Sequence, residues 1–197
     1  MKIVALEGPS YAGKTTAIAS ISEDDPRIAV FSCYVRHLPR EAIPPPRTHT
    51  REEQLAAFEL FMTVERDRVQ RVSDMAADGS PPRLVILDRS VDTLLAHAYA
   101  LDTLFEMGVR GAIAKRLTEL PYLVPDLTIY LDVDAPTLHA RRAADCSAGD
   151  YFLHEPHFLE PWRDHFAGCN PKITRRIEWI QAASPASTVA ETIKGLL

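Results

Sequence analysis

At 197 residues the chain is long enough for one hydrophobic core and short for two, so a single domain over 1–197 is expected. A formal net charge of −5 argues against a nucleic-acid partner, and no apolar stretch approaches the length of a membrane span or of a signal-peptide core. Cys33, Cys146 and Cys169 form an odd set without CxxC spacing, which fits reduced thiols in a cytoplasmic protein.

The first predicted strand, 3–7, runs directly into GPSYAGKTT, residues 8–16, which fits G-x-x-x-x-G-K-[ST] in full, and 14–22 has room for a helix of two to three turns. Glycines at 8 and 13 let the backbone adopt positive φ and approach phosphates, so that successive N–H groups face an anion at a helix N-terminus. Gly8, Tyr11, Ala12, Gly13, Lys14, Thr15 and Thr16 are therefore expected to hold ATP. Lys14 reaches the β- and γ-phosphates, and the Thr15 hydroxyl ligates Mg²⁺. Tyr11 is large for such a loop, and its ring is expected to face solvent.

A second strand is predicted at 28–33, followed at 38–49 by a loop with four prolines, either a connector or a binding element. Residues 50–77 open on a capping-box pattern, THTREE being its context, and continue as one long amphipathic helix carrying Leu55, Phe58, Phe61 and Met62. Phe58, Phe61 and Met62 are candidates to stack on a planar acceptor, although core packing is the more common use of such residues.

The third strand, 84–88, ends in Asp88-Arg89. In a parallel sheet the carboxyl ends of strands face the ligand crevice, so Asp88 is expected to hold Mg²⁺ and Arg89 to clamp a phosphoryl group. A helical region at 91–120, interrupted near Gly108 and Gly111, is followed by strands at 127–132 and 176–180. Between them, His154, His157 and His165 superficially resemble a metal set, but Pro156 and Pro161 are expected to break the helix that would align them. The start of 149–166 is read as a lid and the rest as a helix with Trp162 and Phe166 buried. The whole pattern predicts an α/β three-layer sandwich with a five-stranded parallel sheet.

Four stretches, EGPSYAGKTT, ELFMTVERDRVQRV, VILDRSVDTLLAHAYA and PDLTIYLDVDAPTLHARR, resemble the thymidylate kinase and deoxynucleoside kinase group of P-loop kinases. The resemblance implies a nucleoside monophosphate kinase-like fold, ATP and Mg²⁺ as cofactors, and phosphoryl transfer to a small nucleotide or nucleoside, with possible homodimerisation through long helices. It implies catalytic roles for Lys14, Asp88, Arg89 and Arg142, nucleotide contact by Arg141, and a lid around 141–155. Arg66 matches the helix arginine that meets the base edge, and Phe58, Met62, Arg89 and Thr93 fall on the acceptor side. Ser10 stands where thymidylate kinases carry a carboxylate, Arg36 or Arg40 replaces an absent Arg-Glu-Pro arginine, and Glu41 is the nearest acid after the second strand. The acceptor implied first is a thymidylate-like monophosphate. Alternatives are a deoxynucleoside, a small alcohol or phosphate, or an ATP-binding module without transfer activity.

Overall fold

The computed structural model describes residues 1–23, 25–145, 152–169 and 173–197. Five strands, β1 (Lys2–Glu7), β2 (Ile28–Phe31), β3 (Leu84–Asp88), β4 (Leu127–Asp132) and β5 (Ile177–Gln181), form one parallel sheet in the order β2-β3-β1-β4-β5. Beside β1, Leu6 pairs in register with Asp88 of β3 and Glu7 with Tyr130 of β4, so three strand ends converge at one edge. The chain passes from β3 to β4 across β1, which makes this edge the crevice where open α/β sheets take ligands.

Alternation along the strands assigns the two faces. Val4 and Leu6 of β1, with Leu84, Ile86, Ile129 and Leu131, pack beneath α1 (Lys14–Ser22) and α7 (Ala186–Lys194). Ala5, Val85 and Leu87 face the other way, against Val72 of the long helix α2 (Arg51–Ala77). Full burial of each aliphatic side chain contributes roughly 1.5–3 kcal/mol, so both faces are committed to helices. The three-layer expectation holds.

Thr50 caps α2 with a complete capping box, its hydroxyl accepting from Glu53 N at 3.1 Å while the Glu53 carboxylate accepts from Thr50 N at 3.2 Å. The predicted helix at 91–120 is two helices, α3 (Val91–Phe105) and α4 (Arg110–Leu117). Glu106 and Gly108 break it with φ of 52° and 65°, and Asp102 accepts from the N–H groups of Val109 and Arg110; Gly111 lies inside α4. Strand β2 stops at Phe31, two residues early, because Tyr34–His37 turns into a 3-10 helix.

Helix α5 (Ala135–Ala143) starts at an Asp134 cap, and α6 (Pro156–Asp164) follows the undescribed residues. Against expectation α6 continues through Pro161, since burying Phe158, Pro161 and Trp162 on one face offsets the lost N–H. The three histidines go to separate partners: His154 packs edge-on to Tyr11, His157 pairs with Glu155, and His165 meets the buried Asp92 at 3.1 Å. Of the expected lid, 146–151 lie outside the described residues.

Candidate functional site

The turn from β1 into α1 supplies the first half of the site. Gly8 has φ 126°, and a Cβ there would lie 2.5 Å from the Leu131 carbonyl oxygen, so only glycine lets β1 and β4 close together at this point. Gly13, at φ 92°, turns the chain into α1 with its carbonyl already accepting from Ala17 N at 2.9 Å. The loop thus presents the helix N-terminus to a cleft of about 280 Å³ lined by Lys14, Thr15, Arg36, Asp88 and Arg89 among others. These expected site residues are brought together, along with Tyr11, Gly13 and Thr16.

Lys14 is buried, and its ammonium donates to the carbonyls of Gly8 at 2.9 Å and Pro9 at 2.7 Å. Burial, helped by the neighbouring Arg89 charge and opposed by Asp88 and Glu7, lowers its pKa to about 7. Thr15 donates its hydroxyl to Asp88 Oδ2 at 3.2 Å, while Asp88 Oδ1 is buried with no hydrogen-bond partner among the described residues. A hydroxyl oxygen and a spare carboxylate oxygen side by side are the hard donors that Mg²⁺ takes, so the residues present fit that ion.

Behind the cleft, Glu7 is buried and its pKa is raised, burial outweighing the nearby Arg89 charge and the hydrogen bonds it accepts. Those come from Ser90 N at 2.7 Å, Ser90 Oγ at 2.9 Å and Thr93 Oγ1 at 2.5 Å. Glu7 therefore ties the end of β1 to the start of α3 and fixes where Arg89 leaves the sheet. Arg89 itself has φ 74°, an uncommon left-handed conformation, and its guanidinium lies 5.3 Å from the Trp162 ring.

A buried pair holds that backbone. Arg68 of α2 donates to the Arg89 carbonyl at 3.0 Å and to the Ser32 carbonyl, pairs with Glu65 at 3.3 Å and lies over the Tyr34 ring. Glu65 also accepts from Tyr34 Oη at 2.8 Å and Leu123 N at 2.9 Å. The ends of β2 and β3 are thus anchored to α2 through one ion pair.

A second cavity, about 170 Å³ and mostly apolar, opens off the cleft and shares Ser10, Cys33 and Arg89 with it. Phe58, Phe61, Tyr34 and Trp162 form its aromatic walls, and Ile43 and Pro44 to Pro46 close one side. The proline-rich loop is therefore a wall of the cavity and not a bare connector. On the other side of the phosphate loop a third cavity, about 380 Å³, lies between Tyr11, Ala12, Gly13, Thr16 and the Ser184–Ala186 stretch. Arg141 borders it, with its guanidinium held by the carbonyls of Tyr11 at 3.1 Å and Ala182 at 2.7 Å.

No family model matches the sequence, and no curated protein matches it. Solved structures do. Thymidylate kinase from Candida albicans superposes with a TM-score of 0.71 at 18% identity, over 99% of this chain and 90% of that one. Deoxyadenosine kinase from M. mycoides superposes with TM-scores of 0.71 with bound dATP and 0.67 with dCMP and dCDP. Identity is 16% in each case, over 98% of this chain and 98% and 97% of theirs. The chain has the nucleoside monophosphate kinase-like fold of P-loop kinases.

Within that fold, several residues fall elsewhere than the resemblance implied. Phe58, Thr93 and Arg89 line the aromatic cavity, but Met62 is 1% exposed and belongs to the core beneath it. Arg66 is exposed and lines neither cavity; the inward face of α2 carries Gln54, Phe58, Glu65 and Arg68, and position 66 lies off that stripe. Arg142 borders a further cavity with Tyr11, His139 and His154, on the outer side of the phosphate loop. Tyr11 does not simply point to solvent: half-buried, it donates its hydroxyl to Asp145 at 3.0 Å and ties the loop to the end of α5. Gln54, His97, Trp162 and the Glu65–Arg68 pair are missed by the sequence reading. Their common signal is a polar or aromatic side chain on an otherwise apolar helix face.

Proposed function

We propose that this chain is an ATP-dependent kinase that transfers the γ-phosphoryl group of Mg²⁺-ATP to a nucleoside monophosphate, with a thymidylate-like pyrimidine as first acceptor. The observation that carries this reading is the junction at Ser10, Cys33 and Arg89, where the cleft at the glycine-rich loop meets an aromatic cavity. The adenosine end of ATP would lie in the cavity beside Arg141, its phosphates on the loop, and the acceptor ring between Phe58, Phe61 and Trp162.

Among the described residues the aromatic cavity is lined by no Asp or Glu, and the only acid of the cleft is Asp88. Glu41 lies on an exposed turn outside both. A nucleoside hydroxyl benefits from a carboxylate base, whereas a phosphate oxygen arrives already ionised, so the lining favours a monophosphate. The attacking oxygen bonds to the γ-phosphorus as the bond to the β-bridging oxygen breaks, and ADP leaves with that electron pair. Lys14 neutralises the β- and γ-phosphate oxygens, while Arg36 and Arg89 hold the acceptor phosphate in line. Thr15 and Asp88 would hold Mg²⁺, which supplies charge neutralisation across the phosphates.

The equal TM-score to a deoxyadenosine kinase favours transfer to a deoxynucleoside hydroxyl as the second reading. Release of ADP from Mg²⁺-ATP over a panel of nucleosides, nucleoside monophosphates and small alcohols separates the two. Stimulation by monophosphates is expected. ATP binding without stimulation by any acceptor would remove the kinase reading in favour of a binding module.

A further inference from the structure

A chain of hydrogen bonds whose sense is set from one end runs along the aromatic cavity. His97 of α3 places Nε2 3.0 Å from the Pro46 carbonyl and Nδ1 3.2 Å from Gln54 Nε2. Gln54 Oε1 lies 2.8 Å from Thr48 Oγ1. Gln54 is 4% exposed and Thr48 2% exposed, so neither amide nor hydroxyl has ready recourse to solvent. Phe58 stands one helical turn after Gln54, and both line the cavity.

The senses follow from the inventory of donors and acceptors. A carbonyl oxygen only accepts, so His97 Nε2 carries the proton. Desolvation, with the Arg89 charge acting the same way and the Pro46 hydrogen bond opposing, lowers the His97 pKa to about 4, so the ring is neutral at pH 7. A neutral ring protonated at Nε2 has a bare lone pair at Nδ1, which accepts from the Gln54 NH₂ group. Turning the carboxamide over would set Gln54 Oε1 against that lone pair. The Thr48 hydroxyl can donate or accept, so it follows whichever sense is set. His97 alone imposes one.

Among the described residues two hydrogen-bonding positions of Gln54 are left over, one N–H and one oxygen lone pair, in a fixed order. We propose that His97 is a positioning residue that locks the Gln54 carboxamide in one orientation and thereby makes the cavity select acceptor rings by the order of donor and acceptor along their edge. This rests on the monophosphate reading above. With the acceptor phosphate held at Arg89, the sugar fixes which way round a base lies. Thymine and uracil then present a carbonyl followed by N3–H, and cytosine presents an amino group followed by bare N3, the reverse polarity. A locked amide accepts one order and leaves unpaired groups against the other, the kind of mismatch that discriminates strongly in a buried site. An amide free to turn over accepts both.

The test compares dTMP and dCMP, measured both as kcat/KM with Mg²⁺-ATP and as affinity without ATP, in the wild-type protein and in His97→Asn and Thr48→Val. Wild type is expected to prefer one of the two by at least about tenfold. Asparagine can still hydrogen-bond Gln54 near the Nδ1 position but turns over with it. His97→Asn should therefore bring the two acceptors to within about threefold while its melting temperature stays close to wild type. Thr48→Val should keep the preference, because the hydroxyl only follows. In ¹⁵N-correlated NMR spectra at pH 7, His97 should appear as the neutral Nε2–H form. An Nδ1–H or doubly protonated ring, a wild type that does not discriminate, or a preference that survives His97→Asn would each overturn the lock. If the monophosphates bind but are not phosphorylated, the kinase reading fails and the affinities alone judge the lock; if neither binds, its role in recognition is overturned.

Discussion

The phosphate cleft and the aromatic cavity meet at Arg89 yet are built in opposite ways. The cleft is lined largely by one continuous stretch, between Ser10 and Thr16, completed by Cys33 and Arg36 after β2 and by Asp88 and Arg89 at the end of β3. The cavity is side chains drawn from α2, α3, α6, the Tyr34–His37 turn and the proline loop. Backbone donors at a helix N-terminus recognise phosphate whatever carries it, whereas a wall of distant side chains decides what else the molecule may be. On the proposed reading the donor end of the site is thus generic and the acceptor end particular.

The sharpest way to break that division is Lys14→Ala. Removing a positioned charge from the transferring phosphates should lower kcat by roughly 10²–10³, with acceptor affinity in the absence of ATP unchanged. Equal damage to both ends would mean that cleft and cavity are not separable. Next in size, Arg68→Met leaves Glu65 buried without its charge partner and should cost about 3–5 kcal/mol in chemical denaturation. Adding Glu65→Gln should recover part of that. A loss below 1 kcal/mol would show that the pair does not anchor the strand ends.

Phe61→Ala removes one aromatic wall while leaving the phosphate loop untouched. It should raise the acceptor KM about tenfold or more and leave the KM for ATP within twofold, as loss of a stacking partner predicts. Matching changes in both constants would remove Phe61 from the acceptor side. The smallest effect concerns protons. With its pKa near 7, Lys14 is increasingly neutral as pH rises above 7 in the absence of nucleotide, and triphosphate charge favours the ammonium form. ATP binding at pH 8 should therefore take up close to one proton, read from calorimetry in buffers of different ionisation enthalpy. ATP affinity should weaken as pH rises, and Lys14→Ala should abolish the uptake.

The same division explains what could be read without coordinates. Helix α1 falls at its predicted bounds and the Thr50 capping box forms both of its bonds, because each depends on residues three or four apart. Asp88 and Arg89 were legible from the rule that parallel strands end at the crevice. The resemblance singles out Arg66, whereas the buried arginine is Arg68, two residues on, and its burial depends on Glu65 together with carbonyls 21 and 36 residues away. His97 sits in LLAHAYA, where a lone histidine reads as core, and its partner at Pro46 is 51 residues distant. Nothing near Tyr11 in sequence indicates its partner Asp145, 134 residues on, so the sequence alone points its ring to solvent.

On the proposed reading the cavity delivers a phosphate, not a hydroxyl, to the cleft at the loop, and product analysis tests this most directly. With γ-³²P-labelled Mg²⁺-ATP and equal concentrations of thymidine and dTMP in separate reactions, label should appear in dTDP at least about a hundredfold faster than in dTMP formed from thymidine. Labelling of thymidine at a comparable or greater rate would contradict it, and would place a general base where the described residues lining the cavity include no carboxylate.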